Sequence, residues 1–564
     1  MKRLLALSLL VSCAHGTAAR KPASAWAAFV DDYQAAAFAS SPADATSAGV
    51  HDFDALPDDL SRAAFEARIA SLQAFAARLA AMDTAALPLQ DAVDAKAIDG
   101  AIRGELLELT VVRGWEHNPM RYAGQAGSAV DSLIKRDFAP KADRLRSVIG
   151  RLRGTPALFA AARQNLSHPP REFTDLAIRM TSGSVGFFEG TVATWARDAA
   201  GADATLLAEF NAANGAAIVA VKEFVQWLKA DLLPRSDGAY AIGEKTFLDK
   251  LRFDEMVDLP IGPLRARGEA QLEKDRAAFL AIGAQMAPGK SPAEVVKLLS
   301  DDHPTEDGLI AAVAASVEEA RQFAVKKDLI TFPSEVRVRV TETPPYARDG
   351  GSASMSTPGP FEKVATEAFY YVTPVEKDWD AAHKESHLRG FNRPVMAVTN
   401  VHEAYPGHFT QFLYSSRWPT KARKQLECGT NVEGWAHYTE QMMVDQGFGG
   451  GDPRFRLGQL SDALLRDCRY LVGIKLHTEG MTVAEGAKVF EERCFQQSAV
   501  AFEESRRGAY NPTYLYYTLG KLMIQDLAAE VMQKRGWSLK QFHDAFVAQG
   551  GLPIPLVRRL LLEQ

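Results

Sequence analysis

The chain has 564 residues, 47% hydrophobic and 24% charged, with a formal net charge of −6. This is the composition of a soluble globular protein, and the length is enough for two or more lobes around sizeable cores. The slightly acidic balance gives no electrostatic case for nucleic acid. After the first twenty residues, no apolar run reads as long enough to span a membrane.

In chain order, the first element is a leader. "MKRLLALSLLVSC" puts basic Lys2 and Arg3 ahead of a short apolar stretch from Leu4 to Val11, the layout of a bacterial export signal. Residues 1–22 are therefore set apart from the fold. The end of the signal, "LVSC", resembles a lipobox, in which Cys13 takes lipid and tethers the protein to a membrane. Cleavage between Ala14 and Ala19 would instead release it. Both readings predict an exported protein of a Gram-negative bacterium, periplasmic or anchored at Cys13. The remaining Cys428, Cys468 and Cys494 leave room for one disulfide but for neither a disulfide framework nor a cysteine zinc site.

Residues 23–233 predict an N-terminal helical lobe. "FEARIASLQAFAARLAAM" and "GAAIVAVKEFVQWLKADLL" place apolar residues at three- and four-residue steps. "LPRSDGAYAIG", with its proline, glycine and aspartate, is a connection into a second lobe at 234–564. Helices resume in "PLRARGEAQLEKDRAAFLAIGAQM" and "GLIAAVAASVEEARQFAVKKDL". "EVRVRVTETPP" alternates as a half-exposed strand does, "ARDGGSASMSTPGP" reads as a loop, and "EAFYYVTPV" is strand-like again. A small sheet or hairpin at about 335–375 follows, and beyond "HLRGFNRP" the pattern is helical to the end. The fold class is mainly α with one small β element.

The chemistry is carried by "HEAYPGH", residues 402–408. In H-E-x-x-H, two histidines four apart share one helical face and one zinc ion. Here Pro406 stands where the second histidine belongs, and His408 follows two residues later. On a regular helix six residues turn through about 600°, leaving His408 roughly 120° away from His402. The helix cannot run on, however. Pro406 lacks an N–H and crowds the carbonyl of His402, and Tyr405 is biased out of helical geometry. Gly407 has angles open to it that other residues avoid. The break therefore predicts a kink that swings His408 back to a shared ion, with the helix stopping by Pro406. Metal-assisted hydrolysis needs three protein ligands, an open position and a carboxylate that takes a proton from water. Glu403, next to His402, is that carboxylate. "NVEGWAHYTEQM" supplies the third ligand. Glu433 lies 25 positions after His408, and Glu433, His437 and Glu440 share one helical face. His437 competes with Glu433 for the ligand position. Otherwise His437 and Glu440 orient the ligands.

"HEAYPGH", "EGWAHYTE", "RYLVGIKLHTEGMT" and "NPTYLYYTLGKLMI", in this order, resemble the bacterial DUF885 family, over the C-terminal third of the chain. Its members resemble mostly helical, gluzincin-type metallopeptidases. The resemblance implies a metallopeptidase-like multi-helix architecture with its β element near the active site, and a deep channel that favours unstructured oligopeptides. It also implies one Zn2+ held by His402, His408 and Glu433, with Glu403 as catalytic base. The chain departs from the family at Phe409, where members often have a second histidine; the ligand is then His408.

Further along, Arg469 suits a peptide's terminal carboxylate and His477 a tetrahedral oxyanion. Tyr514 and Tyr517 lie a turn apart, with Lys521 a turn beyond. Tyr514 is a candidate substrate contact, and the Tyr517 phenol a candidate to polarise the scissile carbonyl alongside His477. The leading expectation is a zinc hydrolase of short peptides. Two alternatives stand beside it: a metal-dependent esterase or amidase on a small molecule, and a non-catalytic peptide-binding lipoprotein. Retention of Glu403 argues against the last, because a purely structural zinc site needs no base. Cleavage position and oligomeric state leave no trace in the sequence.

Overall fold

Ser61 accepts a hydrogen bond from the amide of Ala64 (3.2 Å) and so starts the helix α1, Arg62–Ala80, which buries Phe65, Leu72, Phe75 and Leu79. The computed structural model describes residues 24–343 and 353–563. The leader with Cys13, and residues 347–352 of the expected loop, lie outside the described residues.

Helix α2, Leu89–Leu107, is apolar on two sides. Ala95, Ile98 and Ile102 pack with α1, whereas Val93 and Ala97 enter the core built by Trp435, Ile524 and Val557. The fully buried Arg423 also donates to Asp94 of α2 (2.9 Å). The lobe boundary expected at residue 233 is therefore not a break in packing, because one helix serves both cores. Helices α3, Lys141–Asn165, and α4, Ala204–Trp227, make a further core around Leu152, Phe159, Phe210 and Phe224. Contrary to the sequence expectation, the run Ala204–Arg235 is long and apolar enough, by length and composition, to cross a membrane. In the fold, its stripe of Phe210, Ala217, Val221 and Phe224 is buried in that core.

The remaining elements used below are α5 (Ile261–Met286), α6 (Leu309–Lys326), α7 (Arg393–Glu403), α8 (His408–Ser415), α9 (Gly429–Asp445), α10 (Pro453–Thr478), α11 (Val483–Cys494), α12 (Ser498–Tyr510) and α13 (Tyr516–Arg535). Three strands lie between α6 and α7: β1 (Arg339–Glu342), β2 (Ala353–Ser356) and β3 (Phe369–Val372). The central β3 pairs parallel with β1 and antiparallel with β2. Part of the expected loop is thus an edge strand. Its small residues carry little strand signal, and its pairing comes from β3 rather than from its own side chains. Alternate residues of β3 face the core, so Tyr370 and Val372 pack on Ala404, Tyr405 and Phe409 at the junction of α7 and α8. The protein is mainly α with one three-stranded sheet, and the sheet sits against the motif that carries the histidines.

Helices α9 and α13 cross at Gly434 and Gly520. A Cβ on Gly520 would stand 2.1 Å from the Thr430 carbonyl oxygen, and one on Gly434 2.6 Å from the Gly520 Cα. Only two glycines let these backbones approach so closely, and the crossing brings the start of α13 over Glu433. Cys468 of α10 and Cys494 at the end of α11 form a disulfide, with Cα atoms 6.4 Å apart and a sequence separation of 26, while Cys428 is free and buried. Replacing both Cys468 and Cys494 by serine is expected to cost about 2–4 kcal/mol, read as a lower urea midpoint.

Candidate metal centre

Helix α7 starts on Asn392, which accepts from the Val395 amide (3.2 Å), and ends at Glu403. The chain then doubles back, the Gly407 amide donating to the Val401 carbonyl (3.0 Å), before α8 begins at His408. A Cβ on Gly407 would lie 1.9 Å from the His402 carbonyl oxygen and 2.4 Å from that of Val401. Glycine is needed here for space. The Pro406 carbonyl accepts from Trp435 Nε1 (3.0 Å), which ties this corner to α9. Gly407→Ala is expected to cost about 1–3 kcal/mol and to lower metal content, checked by thermal melting and elemental analysis.

The corner brings His402 and His408 together, with ring centroids 4.7 Å apart and planes at 87°. Each Nε2 stands 3.4 Å from one atom, Oε2 of Glu433, and that oxygen has no hydrogen-bond partner in the protein. Two nitrogens that face an oxygen without bonding it are placed for a shared cation. With bonds of about 2.0–2.2 Å to a tetrahedral ion, neighbouring donors lie roughly 3.3–3.5 Å apart. The three side chains fit such an ion. The two imidazoles are deep, His402 being 4% and His408 9% exposed, and the Glu433 side chain keeps 26% of its surface open.

The surroundings favour positive charge at this point. Burial works against a charged His402, but the carboxylates of Glu433 and Glu440 outweigh it and raise its pKa to about 9. A metal ion can take the place of that proton. His402 Nδ1 donates to Glu440 Oε1 (2.6 Å), leaving Nε2 to face Glu433. The other Glu440 oxygen accepts from His437 Nδ1 (3.0 Å), and Arg466 stands 3.3 Å from Oε1. Burial, and then the charge of Lys521, push His437 down to about 3, so it is a neutral donor here. His437 thus braces Glu440 and is not among the three converging donors. Glu440→Gln keeps the shape of this link and loses its charge; it is expected to weaken metal binding about 10–100-fold, measured by chelator competition.

The family described as "Bacterial protein of unknown function (DUF885)" matches residues 42–561, nearly the whole chain. The chain belongs to DUF885. A solved structure from Shewanella oneidensis, described as a "putative lipoprotein of unknown function", is similar with a TM-score of 0.80 at 28% identity, covering 96% of this chain and 100% of that one. A "putative lipoprotein" from Colwellia psychrerythraea has a TM-score of 0.80 at 16% identity, with 95% and 98% covered, and at that identity it speaks for the fold alone. The description of the Shewanella protein accords with an exported or membrane-anchored protein. No curated protein matches the chain.

Around the DUF885 motifs, the structure brings some predicted residues to the trio and places others elsewhere. Glu403 is the last residue of α7, beside His402 and near Tyr370, whose phenol pKa is raised first by burial and then by the Glu403 charge. The Tyr517 ring lies 6.4 Å from that of His402 at 25°. Burial, then the Glu433 charge, keep its phenol protonated. Arg469 is not open to a ligand, because Nε and Nη2 both bond the Glu504 carboxylate (2.6 and 2.8 Å). Tyr514, in the turn just before α13, is fully buried and donates to the Glu504 carbonyl (2.8 Å), so it ties that turn to α12 and makes no substrate surface. His477 is eleven residues past Arg466 on α10, about 16 Å along the helix. There it bonds the Gly508 carbonyl (2.8 Å), with its pKa lowered to about 4 by burial. It does not reach the trio and cannot hold an oxyanion there. Lys521 is buried against Asp275, and Phe409 packs on Tyr405. Sequence reasoning missed Arg466, although it shares a face with Arg469 three residues on. Tyr370 could not be found that way, since only the sheet brings it near Glu403.

Proposed function

We propose that this protein is a metal-dependent hydrolase of peptide bonds, with zinc the ion best suited to two imidazoles and a carboxylate. The observation that carries this reading is the approach of both histidine Nε2 atoms to one unpartnered oxygen of Glu433, with Glu403 next along the helix. His402, His408 and Glu433 would hold the ion. When bound, it supplies Lewis acidity and makes water a stronger acid. Glu403 takes a proton from the attacking water at its carboxylate and returns it to the leaving amine, while the water oxygen ends on the acyl carbon and the C–N bond breaks. The protonated Tyr517 phenol donates to the carbonyl oxygen as it gains charge. His437, Glu440 and Arg466 keep His402 in the tautomer that leaves Nε2 free.

The depth of the two imidazoles supports short, flexible peptides as substrates, because a folded protein cannot readily bring its backbone to side chains so little exposed. Incubation of the zinc-loaded protein with a defined peptide mixture, read by mass spectrometry with and without chelator, tests the reading. Chelator-sensitive cleavage is expected. An intact mixture alongside turnover of an ester panel overturns it. For location, we propose export through the leader to the periplasm and lipid attachment at Cys13, supported by the description of the Shewanella structure. Radiolabelled fatty acid should enter the wild type and not Cys13→Ser.

A further inference from the structure

Three guanidinium groups surround Tyr517, and two are committed. Arg469 lies 5.1 Å from the Tyr517 ring centre and is held in a two-pronged bond with Glu504. Arg466 lies 5.6 Å from that ring, facing Glu440 at 3.3 Å and Asp462 at 3.6 Å. The third, Arg507, is in the last turn of α12 and half-buried. One of its terminal nitrogens stands 3.5 Å from the Tyr517 hydroxyl, and among the described residues no carboxylate lies within 4 Å of it. A half-buried guanidinium with only a long contact to a phenol has bonding capacity left over, and its planar fork suits a carboxylate.

We infer that Arg507 binds the α-carboxylate at the free C-terminus of the substrate, which makes the enzyme one that trims peptides from that end. The inference rests on the hydrolase reading above and names its substrate class. The spacing agrees. Tyr517 touches Arg507 through its hydroxyl and lies 6.4 Å from the His402 ring through its own. An extended residue spans about 3.3–3.6 Å, so a short stretch of chain beyond the scissile bond covers this path past the Tyr517 ring to the guanidinium. Arg469, the residue the sequence suggested for this task, is committed to Glu504 instead.

The test is direct binding, measured by calorimetry on zinc-loaded Glu403→Gln protein, of an N-acetylated tetrapeptide as free acid and as C-terminal amide. The acid is expected to bind about 10–100-fold tighter, the range of hydrogen bonds to a charged group. Adding Arg507→Gln should bring the acid down to the affinity of the amide, and Arg507→Lys should restore part of the difference. Equal binding of acid and amide before that change overturns the inference. So does a preference for the acid that survives Arg507→Gln, since another group then reads the carboxylate. Cleavage of both forms by the wild type with no preference leaves the hydrolase reading standing and removes only this inference. Absence of both binding and cleavage removes both.

Discussion

Glu433→Ala protein is expected to bind zinc on the order of 100-fold or more weaker than the wild type, since removing a ligand exceeds the loss from removing its orienting partner. Elemental analysis of the purified proteins and competition with a chelator both report this. The expectation rests on one atom. Oε2 of Glu433 faces His402 Nε2 and His408 Nε2 at 3.4 Å each and bonds neither. Without it, two imidazoles remain, and no further protein donor converges with them among the described residues. His437→Ala is the necessary companion. His437 reaches the site only through Glu440, so its loss should weaken binding far less. If Glu433→Ala keeps full metal while His437→Ala loses it, the third ligand is His437. A melting curve on each variant separates lost metal from lost fold.

The second large effect belongs to Glu403→Gln. Turnover of any cleaved peptide should fall by about 10²–10⁴ with metal content unchanged, the usual contribution of a general base. The two readouts part because Glu403 is not one of the converging donors. It sits one residue beyond His402, at the end of α7, and glutamine keeps its shape while losing the ability to accept a proton. Full activity in this variant would remove Glu403 from the reaction. Full activity in Glu433→Ala as well would show that the hydrolysis lies elsewhere in the protein or in a contaminant.

The same pair of residues shows how far sequence reasoning carries. The break in "HEAYPGH" was legible because proline at helix position i+4 is a local steric fact. The relation of Glu440 to His437, three residues apart on α9, was legible because helical spacing is local too. The role of Gly407 was only half legible. Its presence marked a turn, but the need for it comes from the His402 carbonyl folding back to 1.9 Å from where a Cβ would be.

For the long polar side chains, sequence reasoning stopped. By sequence, Arg469, Tyr514 and His477 were as suitable as Arg466 and Tyr517, yet the first two are taken up by Glu504 and the third by the Gly508 carbonyl. Which partner such a group finds depends on helices distant in the chain, and above all on the crossing at Gly434 and Gly520 that sets α13 over α9. From the residues alone came a mainly helical chain, its motif break, and a short set of candidate donors. Their convergence on one oxygen, and the choice of Arg507 as the uncommitted cation, came only with the packing, because periodicity records which face a side chain occupies and never what that face meets.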